Sequence, residues 1–320
     1  MRVLLLGSGR FLVTFLVDEL LRRGHEVAAL GRDIGGFGGP VVVFEGGEGD
    51  GEALREAVDA WRPEVVVDAH HTDAGQAGAV VSACHGVGAR SVHLSSLAVF
   101  GHRPICPVDE QTALPTPEQA PEAAGLLAAD VAVLEAIAQG APSTLVRLPH
   151  LYGPRDPRCG EWFFARRALD GRTRIAVPDA GLAICHRGFV QNMAWGIAQA
   201  VTARRAPGQV YHLGEEKLYT VAQLAQGVAR ALDHQWDLWS VPGHLWTTPY
   251  AYTCFTDLRK ARSQLRYRDA MIPRDGLELT LGWLCQKPRG SDWSWPGIAS
   301  AFDYAREDEL ISRFGAPLES

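Results

Sequence analysis

The first third of the chain alternates short apolar runs with segments of helical periodicity. Residues 2–6 (RVLLL) form an apolar run that ends at Gly7, and residues 11–23 carry apolar side chains three and four positions apart. A second apolar run follows Gly24. Runs and periodic segments of these lengths predict a strand, a tight turn, a helix and a second strand. The pattern therefore predicts a β-α-β unit at the start of the chain.

The turn inside this unit is rich in glycine. Glycines there let backbone N–H groups and the positive end of the helix approach a pyrophosphate. Because the turn lies in a β-α-β context, it predicts a dinucleotide-binding site. Its spacing departs from a glycine at every third position, since Arg10 and Val13 stand at two of them, and an ordinary α/β turn is the alternative. The residues expected to bind the cofactor here are Gly7, Ser8, Gly9, Arg10, Phe11 and Leu12.

The residue after the second strand indicates which dinucleotide binds. A 2′-phosphate on the adenosine ribose requires arginine, whereas a free 2′-hydroxyl is bound by a carboxylate. Arg32 stands at this position and Arg10 can approach the same phosphate, so the sequence favours NADP(H). The neighbouring Asp33 keeps NAD(H) open as the alternative.

Polar side chains follow two later apolar runs. His70 and His71 come after the run at 64–69, and Ser95 and Ser96 end the run at 91–96. Parallel strands bring their carboxyl ends to one edge of the sheet, where ligands bind. Histidines there can donate hydrogen bonds or relay a proton near neutral pH, or they can simply cap the strand. The serines can bind a substrate oxygen, or satisfy backbone groups at the strand end.

These segments resemble extended short-chain dehydrogenase/reductases, which belong to the superfamily of NAD-dependent epimerases and dehydratases. The turn resembles the Gly-Gly-Thr-Arg-Phe-Leu-Gly variant of atypical members, residues 95–101 (SSLAVFG) resemble the catalytic serine segment, and residues 146–155 (VRLPHLYGPR) resemble the segment that borders the nicotinamide. The resemblance extends to about residue 285. It implies a catalytic role for Ser96, or for Ser95 if the alignment slips by one residue. It also implies cofactor contacts for Pro149 and for His70 and His71, whose loop passes beside the cofactor ribose in this family.

The Tyr-x-x-x-Lys pair of that family is missing. Aligned on Glu135, the helix after residue 120 carries Leu127 and Val131 at the two positions. No tyrosine occurs at positions 97–151 and no lysine precedes Lys217, so the loss does not depend on the alignment. Oxidation of an unactivated sugar alcohol requires such a base. Reduction of a polarised ketone requires only hydride positioning and hydrogen-bond donors, so the sequence favours a ketoreductase.

The resemblance also implies the architecture. We expect an α/β fold with a Rossmann-type, doubly wound parallel sheet that binds NADP(H) over residues 1–175. A smaller C-terminal α/β substrate lobe, with a C-terminal extension, is expected over residues 176–320, and the chain crosses between the lobes. Aromatic side chains that crowd part of this lobe suit an aromatic or polycyclic substrate. Core packing explains them equally well: Trp236, Trp239, Trp246, Tyr250, Tyr252 and Phe255.

Composition narrows the class of protein further. A chain of 320 residues that is 47% hydrophobic can bury a full core. The net charge of −6 argues against a nucleic-acid partner, and six cysteines without a Cys-x-x-Cys motif argue against a metal site and against disulfides. The opening run has the form of neither a signal peptide nor a membrane span. We expect a cytoplasmic protein with a small-molecule substrate, and the oligomeric state stays open.

Three functions are left open by the sequence. The leading one is an NADPH-dependent ketoreductase for an activated aromatic or polycyclic ketone, similar to tailoring reductases of antibiotic pathways, such as the simocyclinone pathway, that lack the tyrosine. The second is a nucleotide-sugar epimerase or dehydratase with a relocated base. The third is a binding protein on a reductase scaffold that senses NADP(H) or holds RNA, and the negative net charge counts against RNA. In the first case the proton comes from solvent or from one of four histidines: His70, His71, His102 or His150.

Overall fold

Two compact units divide the chain in the computed structural model. The first unit comprises Met1–Pro149, Val190–Gly214 and Thr256–Ala270, and the second comprises His150–Phe189, Glu215–Phe255 and Met271–Ser320. Each unit is thus assembled from three separate stretches, and a domain boundary at residue 175 stays a prediction. The structure describes residues 1–7, 11–32, 37–47, 49–70, 72–101, 105–158, 160–286 and 301–318.

The described residues form twelve strands and ten α-helices. The strands are β1 (Arg2–Leu6), β2 (Glu26–Gly31), β3 (Val42–Glu45), β4 (Val65–Asp68), β5 (Arg90–Ser96), β6 (Ser143–Leu148), β7 (His150–Tyr152), β8 (Arg174–Pro178), β9 (Arg187–Phe189), β10 (Val210–His212), β11 (Asp237–Val241) and β12 (Ala316–Pro317). The helices are α1 (Phe11–Arg22), α2 (Gly51–Trp61), α3 (Ala74–Val87), α4 (Ala124–Ala138), α5 (Glu161–Leu169), α6 (Val190–Thr202), α7 (Val221–Ala231), α8 (Arg259–Leu265), α9 (Pro273–Leu284) and α10 (Tyr304–Phe314). No helix within the described ranges is both long and apolar enough to cross a membrane.

The first unit is built on a parallel sheet of seven strands in the order β10-β6-β5-β4-β1-β2-β3. From β1 the chain adds β2 and β3 on one side, and it then returns to add β4, β5 and β6 on the other. This order is typical of doubly wound dinucleotide-binding folds, so the expected α/β fold with a Rossmann-type sheet is confirmed. Ligands of such folds bind where the strand order reverses, which is between β1 and β4 here.

The apolar pattern explains the first β-α-β unit. Val3, Leu4 and Leu5 of β1 are fully buried, as expected for a parallel strand covered on both faces. The buried residues of α1 recur at helical spacing and include Val13, which is also fully buried. Helix starts elsewhere in the unit follow local polar residues. Asp50 caps α2 by accepting the N–H groups of Glu52 and Ala53, and Asp73 caps α3 in the same way.

The second unit contains the small sheets β12-β11-β8 and β7-β9 around an aromatic core. Trp236, Trp246 and Tyr250 are at most 7% exposed and belong to this core. Trp239 and Tyr252 pack against it as partly buried residues. Core packing therefore accounts for most of the aromatic crowding seen in the sequence.

A buried ion pair fastens α10 to the second unit. Arg167 on α5 and Glu307 on α10 are both fully buried, and the Arg167 Nε lies 3.2 Å from each carboxylate oxygen of Glu307. Glu307 Oε1 also accepts the backbone N–H of Ala176 on β8 at 2.9 Å. The guanidinium carbon of Arg167 lies 3.6 Å from the ring centroid of Phe163. The segment that carries α10 is thus an integral part of this core.

Breaking this pair should destabilise the protein strongly. We expect Glu307→Gln to lower the free energy of unfolding by about 3–5 kcal/mol, because the Arg167 charge stays buried without its counterion. Glu309→Gln on the same helix breaks an exposed pair with Arg313 and should cost about 1 kcal/mol or less. Urea unfolding of both variants measures the difference, and equal losses would contradict the buried-pair account.

Candidate functional site

The turn after β1 is positioned by a close approach of two strand ends. Gly7 has φ +83°, and a Cβ added there would lie 3.0 Å from the Cβ of His70, which follows β4. Glycine is therefore the residue that fits this position without strain. Phe11 and Leu12 begin α1 directly beyond the turn, while Ser8, Gly9 and Arg10 lie outside the described residues.

A cleft opens at the point where the strand order reverses. Its lining includes Leu6 and Gly7 from the end of β1, Gly47 from the segment after β3, and Asp68 and His70 from the end of β4. These residues lie at or just after the carboxyl ends of β1, β3 and β4, which lie at the same edge of the parallel sheet. The location matches the crevice in which doubly wound sheets bind dinucleotides.

Arg32 reaches the rim of the first unit next to Gly47. The side chain is exposed, and its Nη2 lies 3.1 Å from the place where a Cβ of Gly47 would stand. The missing side chain at position 47 therefore leaves room for the guanidinium. Among the described residues Arg32 has no carboxylate partner. Asp33, the alternative ribose ligand, lies outside the described residues.

The loop after β4 holds His70 at the cleft. The backbone N–H of His70 donates to Asp68 Oδ1 at 3.1 Å, and the half-buried side chain lines the cleft. Asp68 Oδ2 lies 3.2 Å from Nδ1 of the buried His93 on β5. The sequence reading missed this pair, because its members are 25 residues apart and meet only through strand pairing. His71 and His102 lie outside the described residues.

The two serines at the end of β5 differ in their surroundings. Ser96 is half-buried, and its Oγ accepts the N–H of Ala98 at 3.1 Å, which caps a short 3₁₀ helix at Leu97–Phe100. Accepting this bond fixes the Ser96 hydroxyl and leaves its O–H able to donate to a ligand oxygen. Ser95 is 5% exposed, and its Oγ has no hydrogen-bond partner among the described residues. Because neighbours on a strand face opposite sides of the sheet, these two hydroxyls cannot bind the same oxygen.

Helix α4 provides no proton-transferring pair. Leu127 is buried, and Val131 is 40% exposed. The buried acidic residue of this helix is Asp130, which pairs with Arg147 Nε at 2.8 Å, whereas Glu135 is exposed. Anchoring the alignment on Asp130 instead of Glu135 moves the two positions to Glu122 and Leu126. Neither alignment supplies a tyrosine or a lysine.

The chain leaves β6 at the buried Pro149 and enters the second unit at His150. The ring of His150 contacts the ring of Tyr250 edge-on, with centroids 4.8 Å apart. Burial lowers the pKa of His150 to about 4, so the imidazole is neutral at physiological pH. His150 can therefore donate a hydrogen bond but holds no extra proton to deliver.

A buried polar cluster that the sequence reading missed lies in the same unit. Tyr250 donates its hydroxyl to Glu161 Oε2 at 3.0 Å, and Arg187 pairs with the other oxygen of Glu161. Tyr250 has φ +69°, which is strained for a bulky residue and is the kind of outlier that clusters at functional sites. Nearby in sequence, burial and then the charge of Glu161 raise the pKa of Asp156 to about 7. The sequence analysis pointed to this region through the resemblance of residues 146–155 and through the aromatic crowding that includes Tyr250, but not to the pairing with Glu161.

The sheet order, the cleft at its reversal point and the polar strand ends define a doubly wound α/β protein of the dinucleotide-binding class. Residues 3–214 match the model of the NAD dependent epimerase/dehydratase family, which is more than half of the chain. The chain therefore belongs to this family of nicotinamide-dependent oxidoreductases and epimerases.

One relative is the chloroplast stem-loop binding protein of 41 kDa b of Arabidopsis thaliana, 24% identical over 246 residues. The match covers 72% of this chain and 63% of the relative, so the chain spans less than two thirds of its length. A similar solved structure is dTDP-glucose 4,6-dehydratase from Bacillus anthracis in complex with NAD, with TM-score 0.76, 17% identity and coverage of 90% of this chain and 97% of that chain. Another is UDP-glucose 4-epimerase from Thermus thermophilus in complex with NAD, with TM-score 0.70, 23% identity and coverage of 90% and 100%.

The raised pKa of Asp156 predicts a specific pH dependence of stability. The folded protein binds a proton at this carboxyl up to about pH 7, whereas an unfolded aspartate has already lost it near pH 3.8. Stability from this group is therefore lost as the pH rises through that window, by at most about 1.4 kcal/mol per unit. Asp156→Asn removes this loss, so in denaturant unfolding the stability of the variant relative to the wild type should increase between about pH 4 and pH 7. The exposed Asp237→Asn is the control, and a pH-independent difference for Asp156→Asn would contradict the assignment.

Proposed function

We propose that this protein is an NADPH-dependent ketoreductase that reduces an activated ketone without the Tyr-x-x-x-Lys pair. The observation that carries the proposal is the contrast between two parts of the first unit. The cleft at β1 and β4 keeps the form of a dinucleotide site, and Ser96 keeps a fixed hydroxyl at the sheet edge. Helix α4 carries no group that exchanges a proton at Leu127 or Val131.

The preference for NADPH rests on Arg32. Its guanidinium lies beside Gly47 at the carboxyl edge of the sheet, where the adenosine ribose is read in this class of fold. An arginine in that position binds a 2′-phosphate through charge-assisted hydrogen bonds. The two solved neighbours are described as NAD complexes, which supports a nicotinamide cofactor at this site.

Hydride transfer to a ketone leaves negative charge on the carbonyl oxygen. The Ser96 O–H can donate to that oxygen, and a ketone polarised by conjugation or by an internal hydrogen bond needs little more. The proton then comes from solvent or from a titratable side chain. His150 is neutral at physiological pH, so it holds no extra proton to deliver. Glu122 is a carboxyl at the position of the missing tyrosine in the shifted alignment.

Two other functions keep specific support. Both solved neighbours act on nucleotide sugars according to their names, which favours an epimerase or dehydratase with a relocated base as the second candidate. The Arabidopsis relative is named for binding stem-loops, which keeps a binding protein as the third. Trp236, Trp246 and Tyr250 belong to the core, so they no longer support an aromatic or polycyclic substrate. We keep such ketones only as the series of substrates to test. A cytoplasmic location stays a prediction.

Cofactor preference is the first test. Titration calorimetry of the wild type should show tighter binding of NADPH than of NADH. Arg32→Ala should weaken NADPH binding by about 1.5 to 3 kcal/mol, roughly 10- to 150-fold, and leave NADH nearly unchanged, because only the 2′-phosphate contact is lost. Arg22→Ala removes an exposed arginine of α1 and serves as the control. Identical preference in wild type and Arg32→Ala would remove the argument for NADP(H).

Hydride transfer is the second test. Deuterium from 4-deuterated NADPH should reach the carbinol carbon of conjugated aromatic ketones. Ser96→Ala should slow this transfer by about 100- to 1000-fold, or less if the ketone carries an internal hydrogen bond. Ser95→Ala should have the smaller effect, since Ser95 is buried on the opposite face.

Variants of His70, His71, His102 and His150, together with Glu122→Gln, test for a side chain that donates the proton, and mass spectrometry of the product measures the deuterium transferred. A large loss in one variant alone marks a general acid, and small losses in all of them indicate solvent. NADPH binding without deuterium transfer to any ketone would exclude the reductase. Conversion of UDP-glucose would favour the epimerase instead.

A further inference from the structure

A row of hydrogen-bonded polar side chains crosses β4, β5 and β6 of the first unit's sheet towards the amino ends of β5 and β6. Ser91 and His93 are two residues apart on β5 and therefore face the same side of the sheet. Strand register adds the other members, since His93 pairs with Asp68 on β4 and Ser91 pairs with Ser143 on β6. Each of the four side chains is at most 2% exposed.

The four groups contact one another in a defined order. Asp68 Oδ2 lies 3.2 Å from His93 Nδ1, and His93 Nε2 lies 2.9 Å from Ser91 Oγ. Ser91 Oγ in turn lies 2.7 Å from Ser143 Oγ. Carboxylate to Nδ1 and Nε2 to hydroxyl is the arrangement of serine nucleophiles in acyl transfer, and it is recognised by geometry rather than by sequence position.

The hydroxyl end of this row borders a cavity. The cavity has a volume of about 380 Å³ and lies at the amino ends of β5 and β6, between α3 and α4. Ser91 and Ser143 line it together with Val81, Ala136, Gln139 and Pro142. This volume falls in the range of small-molecule sites, and a mostly apolar wall with two convergent hydroxyls is typical of them. Ser91, although only 2% exposed, thus belongs to the wall of this cavity.

We propose that Ser91 is a nucleophile for small carboxylic esters that enter this cavity. Ser91 Oγ bonds to the ester carbonyl carbon while its proton passes to His93 Nε2. The bond to the alcohol oxygen then breaks, the alcohol takes that proton from His93, and an acyl-Ser91 remains. Water attacks the acyl group, gives a proton to His93, and the carboxylic acid leaves as the proton returns to Ser91.

The other two residues have distinct tasks. Asp68 accepts the Nδ1 hydrogen of His93, which fixes the tautomer with Nε2 as the acceptor and stabilises the imidazolium that forms. The Ser143 hydroxyl is near enough to donate to the developing oxyanion. A single hydroxyl stabilises less charge than paired backbone N–H groups, so acylation and deacylation are both slow, and an ester with a good leaving group acylates Ser91 faster than water removes the acyl group. None of these steps involves a dinucleotide, so the inference is independent of the reductase proposal.

The test is covalent labelling of the full-length protein. A fluorophosphonate probe, followed by peptide mass spectrometry, should place the label on Ser91 of the wild type, and p-nitrophenyl acetate should give a burst of nitrophenol. Ser91→Ala should abolish both, His93→Gln should slow labelling at least about 100-fold, and Ser143→Ala about 10-fold. Ser263→Ala, an exposed serine on α8, should label like the wild type.

Thermal unfolding of each variant shows whether the sheet is intact, and mapping the label on the wild type needs no variant at all. A wild type that is not labelled, or that is labelled at another serine, overturns the proposal. So does a folded His93→Gln variant that reacts at the wild-type rate. The labelling result does not depend on whether the earlier tests find NADPH binding or ketone reduction.

Discussion

The parallel pairing of β1 with β2 on one side and with β4 on the other is the constraint on which the candidate cofactor site depends. Leu6 at the end of β1 is in register with Leu30 of β2 and with Asp68 of β4. Three carboxyl ends therefore meet at one level, and the loops that follow them share one crevice. Gly7 keeps that crevice open because any side chain there would strain the backbone and press on His70.

Cofactor binding and proton transfer depend on different parts of the first unit. The cleft depends on the strand ends and on Gly7, which the chain retains although Arg10 and Val13 replace two other glycines of the pattern. The proton-transfer pair of the family depends on two side chains of α4, which the chain lacks. A buried leucine at position 127 keeps that helix packed in the unit. Hydride chemistry requires position above all, so it can persist on such a scaffold when the proton has another source.

Buried charges in both units are paired across long stretches of sequence. Asp130 with Arg147, Glu161 with Arg187 and Arg167 with Glu307 each join elements that the local pattern does not connect. Removing one partner of such a pair leaves a charge in a medium that cannot solvate it, so these pairs fix which segments lie together. Asp68, His93, Ser91 and Ser143 likewise connect separate strands, but through a histidine and two hydroxyl groups instead of an arginine.

The sequence by itself determined the β-α-β start, the α/β class, the serines at a strand end and the absence of the tyrosine and lysine. These are properties of backbone periodicity and of residue identity, which are local. Only the tertiary structure placed Arg32 beside Gly47, distinguished the accessible Ser96 from the buried Ser95, and put Trp236 and Trp246 into a core. It also brought Asp68, His93 and Ser91 into contact, because strand register and packing join residues that no local pattern relates.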